Sequence, residues 1–282
     1  MKGLRIAAAI VSAMVSGCSL YDGNNTRSRA AVALAALLNG PGSIINEDHV
    51  TTPFRDDFDG TAVDESAWQI ATWVEESRTS RDRCYVADGR LNLVFIYEGE
   101  DAQGNDIFNG AAIQTRDEFL YGKWEASLKP TGVSGVLNSM YTIDWDNTST
   151  DYSYSDGTKQ EIDIEFLTKS FGSSSGQVHY AVHQSGRESF DTNPDVDLGF
   201  NPSDDFHTYA IEITPERIRW SVDGAMLREY VYAGNAIRIN APYQLKFNVW
   251  SQNGASTWVG GPPPVGTECV YQIDWISFTP YN

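Results

Sequence analysis

The run Glu161-Ile162-Asp163-Ile164-Glu165 constrains this chain more than any other. It alternates strictly between carboxylate and β-branched apolar residues, which is the period of a strand. Alternate residues of a strand share a face, so the three carboxylates point one way and the two isoleucines the other. The isoleucines suit a core between two sheets. Three like charges on the opposite face repel one another, which costs stability unless a site uses them. An exposed strand face more commonly mixes Thr, Lys and Glu, so a solvated acidic face or a calcium-binding patch is the bland alternative.

From Phe54 onward, short strand patterns alternate with turn signals. Arg90 to Phe95 alternates after Asp88-Gly89, and Ile211 to Val222 alternates before Asp223-Gly224. Asp-Gly between two such runs is a hairpin signal. Gln244 to Trp250 places Leu245, Phe247 and Val249 on one face and Lys246, Asn248 and Trp250 on the other. Tyr271 to Phe278 reads as a closing strand. No amphipathic helix or repeat interrupts the pattern, which predicts an all-β domain, a β-sandwich of the jelly-roll kind.

The N-terminus reads as a targeting segment. Lys2 and Arg5 precede an apolar run from Ile6 to Val15, and Val15-Ser16-Gly17-Cys18 resembles a bacterial lipoprotein processing box. The expected organisation is a signal peptide over 1–17, a lipidated Cys18 and tether over 18–53, and a folded domain over 54–282. The expected location is the cell envelope, with the outer membrane favoured because Ser19 is not a retention Asp. Ala30 to Leu38 is too short to span a bilayer, so the lipid would be the only membrane contact. Formal net charge is −18, which repels phosphate backbones and argues against a nucleic-acid partner. A monomer is expected. In an exported chain Cys84 and Cys269 form an even pair and read as a disulfide. Two separate buried thiols are the alternative.

Cleaving a glycosidic bond needs two carboxyl groups in different protonation states, and a third between them lets a proton be shared along the row. Glu161 and Glu165 are four residues apart, roughly 13 Å between Cα atoms at strand rise. Side chains leaning together close part of that gap, and the spacing alone leaves retention and inversion open.

The chain resembles glycoside hydrolase family 16, whose signature is Glu-x-Asp-x-Glu or the same with one inserted residue. The likeness runs from about Phe54 to Phe278. It includes Phe54-Arg55-Asp56-Asp57-Phe58-Asp59 with Trp68, Tyr121-Gly122-Lys123-Trp124-Glu125, Phe206-His207-Thr208-Tyr209, Asn248-Val249-Trp250 and Ile273-Asp274-Trp275-Ile276. The resemblance implies a concanavalin A-like jelly roll with a concave substrate cleft. It implies Glu161 as nucleophile, Glu165 as general acid/base and Asp163 as electrostatic assistant in a retaining reaction. It also implies Asn248 and Trp250 as sugar-binding residues, since Trp rings stack on pyranose faces and Asn supplies both donor and acceptor. His183 on the following strand, and Tyr141 and Trp145 before the carboxylates, are further substrate-binding candidates. Asp274 matches a position that often holds a structural calcium, with a hydrogen-bonded strand Asp as the alternative. No organic cofactor is implied.

Departures from the lichenase pattern are Ala112 and Gln114 for a Glu and an Arg, Lys159 for a Trp, Ala181 for an Asn and His183 for a Tyr. The expected activity is endo-hydrolysis of an extracellular polysaccharide, a β-1,3/1,4-glucan or related neutral polymer. A transglycosylase and a non-catalytic lectin-like module are the rival readings.

Overall fold

The computed structural model describes residues 49–73, 77–144, 160–184, 190–191, 195–252 and 258–281. Seventeen strands and one short 3-10 turn, Arg81–Arg83, make up the described elements. The strands are β1 (Phe54–Asp56), β2 (Trp68–Ile70), β3 (Arg78–Thr79), β4 (Cys84–Ala87), β5 (Arg90–Glu100), β6 (Asp106–Thr115), β7 (Gly122–Lys129), β8 (Leu137–Asp144) and β9 (Gln160–Gly172). They continue with β10 (Ser175–Gln184), β11 (Phe190–Asp191), β12 (Val196–Asp197), β13 (His207–Ile213), β14 (Arg217–Val222), β15 (Ala225–Val231), β16 (Gln244–Trp250) and β17 (Glu268–Pro280). Every described pairing is antiparallel except β3 with β6.

Two layers result. The front layer runs β12 and β11, then β10, β9, β8, β16, β6 and β2. The back layer runs β15, β14, β13, β7, β17 and then β5 with β1, closed at the edge by β4. Strand β6 serves both layers: Asp106–Asn109 pairs with β5, and Ala111–Gln114 pairs with β16. The crossing point is Gly110, where an added Cβ would lie 2.1 Å from the Val249 carbonyl oxygen. Only glycine lets the two backbones approach that closely at the corner.

The alternation read from the sequence sets which face is which. Ile162, Ile164 and Phe166 of β9 are fully buried against the back layer, with Leu245, Phe247 and Val249 of β16. Trp220 of β14 crosses the core and its indole N–H donates to the Asp163 carbonyl at 3.1 Å. Asp88-Gly89 and Asp223-Gly224 both have positive φ at both residues, the backbone of a type I′ turn. They close the β4–β5 and β14–β15 hairpins.

Three expectations change. Ile211 to Val222 is two strands, because Thr214 turns the chain and its N–H donates to the Arg217 carbonyl at 2.9 Å. The contact-dense unit begins at His49 rather than Phe54; Val50 already donates to the Glu118 carbonyl at 2.8 Å and packs on the core. Cys84 and Cys269 do not pair: both are free and buried. Cys84 is opposite Leu93 and Cys269 opposite Phe95, on opposite edges of β5. A whole strand therefore separates them, beyond the roughly 7 Å Cα limit of a disulfide.

Burial pushes the Cys84 thiol up to about 12 and the Cys269 thiol up to about 11, so both stay protonated. The expected outcome is that dithiothreitol leaves Tm unchanged. A thiol reagent should modify Cys84 and Cys269 only after denaturation, as read by intact mass.

Candidate active site

The buried isoleucines of β9 leave Glu161, Asp163 and Glu165 on the front layer's outer face. Register then fixes their neighbours. On β10, His183 lies opposite Glu161, Ala181 opposite Asp163 and His179 opposite Glu165. On β8, Ile143, Tyr141 and Ser139 lie opposite the same three. One strand further, Lys246 and Asn248 of β16 lie opposite Tyr141 and Ser139. The carboxylate row therefore sits in the middle of the layer, with rigid strands on both sides.

This face is a recess. Asp163, Tyr141, Lys246, Asn248 and Trp250 are all buried although none points into the core, and Glu161 and Glu165 are half-buried. His183 reaches across the row, its Nε2 3.4 Å from Asp163 Oδ2. The middle carboxylate is the most covered of the three.

Asn248 is part of the floor. The Ser139 hydroxyl donates to its Oδ1, and its Nδ2 reaches the Tyr141 hydroxyl at 3.5 Å. It thus holds the β8 side chains that flank Asp163 and Glu165. Trp250 packs with Leu137, Leu167 and Val259 in a small apolar cluster, with Trp258 against it. This cluster lies on the outer face, one step along the strands from Glu165. Two contacts of His179, a residue of the strand that also carries His183, border it. His179 faces Asp195, with Nδ1 2.7 Å from Oδ1, and it meets the Trp258 ring edge-on at 4.4 Å. Both depend on loops whose return to the sheet leaves no local sequence signal.

Trp145 and Lys159 lie outside the described residues, as does Cys18. Asp274 is on the back layer, in the bulge between Ile273 and Trp275. Its Oδ1 is 3.6 Å from Arg90 Nε. No group of three or more His, Cys, Asp and Glu side chains that could hold a metal occurs among the described residues. The Asp274 carboxylate thus has the Arg90 guanidinium beside it.

An antiparallel sandwich with a carboxylate row across the open face of one sheet has the arrangement of an enzyme that cleaves glycans. Residues 72–277 match the model of glycosyl hydrolases family 16, and the chain belongs to that family. It is accordingly a glycoside hydrolase, which sets aside the lectin reading. It is 30% identical to a beta-glucanase of Brevibacillus brevis over 81% of this chain and 82% of the relative. It is 32% identical to a beta-glucanase of Fibrobacter succinogenes over 62% of this chain and 48% of that one. Among solved structures, a lichenase from a mouse hindgut metagenome superposes with a TM-score of 0.63 at 26% identity, covering 82% of this chain and all of that one. The Bacillus licheniformis beta-glucanase superposes with a TM-score of 0.66 at 22% identity, over 82% of this chain and 99% of that one, a likeness of fold.

Replacing Asn248 with Ala removes the acceptor of the buried Ser139 hydroxyl and one donor to the Tyr141 hydroxyl. The expected loss is about 1–3 kcal/mol of unfolding free energy, measured by urea denaturation. Unchanged stability would show that Asn248 does not hold the floor.

Proposed function

We propose that this chain is a retaining endo-β-glucanase that cleaves β-1,3/1,4-linked glucose polymers or a closely related neutral polysaccharide. The observation that carries the reading is the row of Glu161, Asp163 and Glu165 on one central strand. In the first step the Glu161 carboxylate bonds to the anomeric carbon while protonated Glu165 gives its proton to the departing glycosidic oxygen. In the second, the Glu165 carboxylate takes a proton from water, the water oxygen attacks the anomeric carbon, and Glu161 leaves as carboxylate. Asp163 lies between the two and is steadied by His183. The beta-glucanase names of the relatives support the substrate class. The acidic chain and the three carboxylates in the recess favour a neutral polymer over a polyanion.

Export is the second element of the proposal: cleavage of the leader before Cys18, lipidation there and display at the cell envelope place the enzyme where a polysaccharide is met. Metabolic labelling with palmitate should mark the full chain and be lost in Cys18→Ser. Labelling that survives the substitution overturns this element.

The catalytic element is tested on purified protein with lichenan, laminarin, xyloglucan and sulfated galactans. Glu161→Gln and Glu165→Gln should each lower release of reducing ends by about 100- to 10,000-fold. NMR of early products should show the β-anomer first. Turnover at the parental rate in either variant would sink the assignment. An α-anomer would indicate inversion, and products longer than the substrate would indicate transglycosylation.

A further inference from the structure

The sheet that carries the carboxylates stops one residue beyond Glu161. Asp144 at the end of β8, Gln160 at the start of β9 and Gln184 at the end of β10 lie side by side in register. Glu165 is interior to all three strands, whereas Glu161 is next to the last rung. Strand ends fray at little free-energy cost, so this end needs a restraint from elsewhere. Gln160 and Gln184 share the parity of Ile162 on β9 and Val182 on β10, and so belong to the core-facing side of the sheet. Each places an amide where an apolar side chain would continue the core. The connection from β15 to β16 meets both. The Asn240 N–H donates to Gln160 Oε1 at 2.8 Å. Gln184 Nε2 donates to the Arg238 carbonyl at 3.1 Å, and the Arg238 N–H donates back to Gln184 Oε1 at 3.3 Å. The intervening Ile239 and the preceding Ile237 are buried in the core, and the Tyr121 hydroxyl donates to the Ile239 carbonyl at 3.4 Å.

We propose that Gln160 and Gln184 are positioning residues for the nucleophile: their side-chain amides splice the 238–240 backbone onto the end of the carboxylate sheet and hold Glu161 at its working distance from Glu165. The proposal rests on the reading of Glu161 as nucleophile. Both amides lie on the side of the sheet away from the recess, so they act through the backbone and not on the sugar. Their bonds have the pattern of a sheet ladder. A two-way pair with one residue, then a bond to the residue two further on, is how a strand presents its N–H and C=O groups to one neighbour. The segment therefore continues the ladder where β9 and β10 end, with side chains in place of a neighbouring backbone. Burial of Ile237 and Ile239 ties this clamp to the core. A retaining reaction needs its two carboxyl groups about 5–5.5 Å apart. Ladder bonds on both flanks fix Glu165, but Glu161 has a single rung beyond it. A misplacement of about 1 Å can lower a rate about 100-fold, so a restraint at Gln160 bears on catalysis more than on stability. Rigid support behind a reactive group is what a catalytic constellation requires.

The test is steady-state kinetics of Gln160→Met and Gln184→Met, which keep side-chain length and remove the amide. The substrate is the polysaccharide of the panel above that the parent cleaves fastest. Each variant should lower kcat by about 10- to 100-fold with KM unchanged. The double variant should fall short of the product of the two single losses, because both amides hold one segment. On a dinitrophenyl gluco-oligosaccharide kcat/KM should fall by a similar factor, since that leaving group needs no proton from Glu165 but still needs Glu161. Recovery on that substrate would place the effect at Glu165 and overturns the proposal. Parental kcat with a lowered Tm overturns it as well, and reduces the clamp to a structural support. Where one variant does not fold, the other decides. Amide hydrogen exchange of the parent is a second measurement that needs neither: the Arg238 and Asn240 N–H groups should be protected, and rapid exchange overturns the clamp. Glu161→Gln separates the two readings. If that variant is as active as the parent, the nucleophile assignment fails. If it is inactive while Gln160→Met and Gln184→Met keep the parental kcat, the positioning role alone fails.

Discussion

The burial of Ile162, Ile164 and Phe166 fixes everything else about the site. Side chains of a strand alternate faces, so a slip of one residue would exchange these three for Glu161, Asp163 and Glu165. Burying three carboxylates in an apolar core is far costlier than exposing apolar side chains, and no alternative register competes. Trp220 adds a second restraint from the opposite layer through its bond to the Asp163 carbonyl. The orientation of the three carboxylates is thereby a consequence of core packing, and needs no interaction among the carboxylates themselves.

That lock propagates sideways. Once β9 is fixed, ladder hydrogen bonds place β10 and β8, and through β8 they place β16 and β6. His183, Tyr141, Asn248, Lys246 and Gln114 arrive at the recess by register. A catalytic constellation needs such support from rigid elements. The floor hydrogen bonds of Asn248 to Ser139 and Tyr141 are a local refinement of positions that the ladders already impose.

What could be read from the sequence follows the same division. The faces of β9 and β16 were legible because periodicity is a local property, and the two Asp-Gly turns were legible because positive φ has a local residue preference. The split of 211–222 has a local signal too: Pro215 interrupts the run, and the consecutive polar pair Glu216-Arg217 shifts the buried set from Ile211 and Ile213 to Ile218, Trp220 and Val222. The cysteine pairing failed for a different reason. Export chemistry and an even count say nothing about a strand lying between two thiols. Lys246 was visible as a residue of the outer face. Its place opposite Gln114 was not, because 132 positions of chain separate them and only the β16–β6 register brings them together.

Chemistry and specificity therefore have separate physical origins in this fold. The reaction needs carboxyl groups at fixed spacing along one strand, and that spacing is set by covalent geometry. The other side chains of the recess are contributed across strands, and each can change without disturbing the core face of its own strand. Lys246 can vary while Leu245, Phe247 and Val249 stay buried, and Gln114 can vary while Ile113 stays buried. The same locked strand can in this way carry different lateral neighbours while its carboxylates stay where the core puts them.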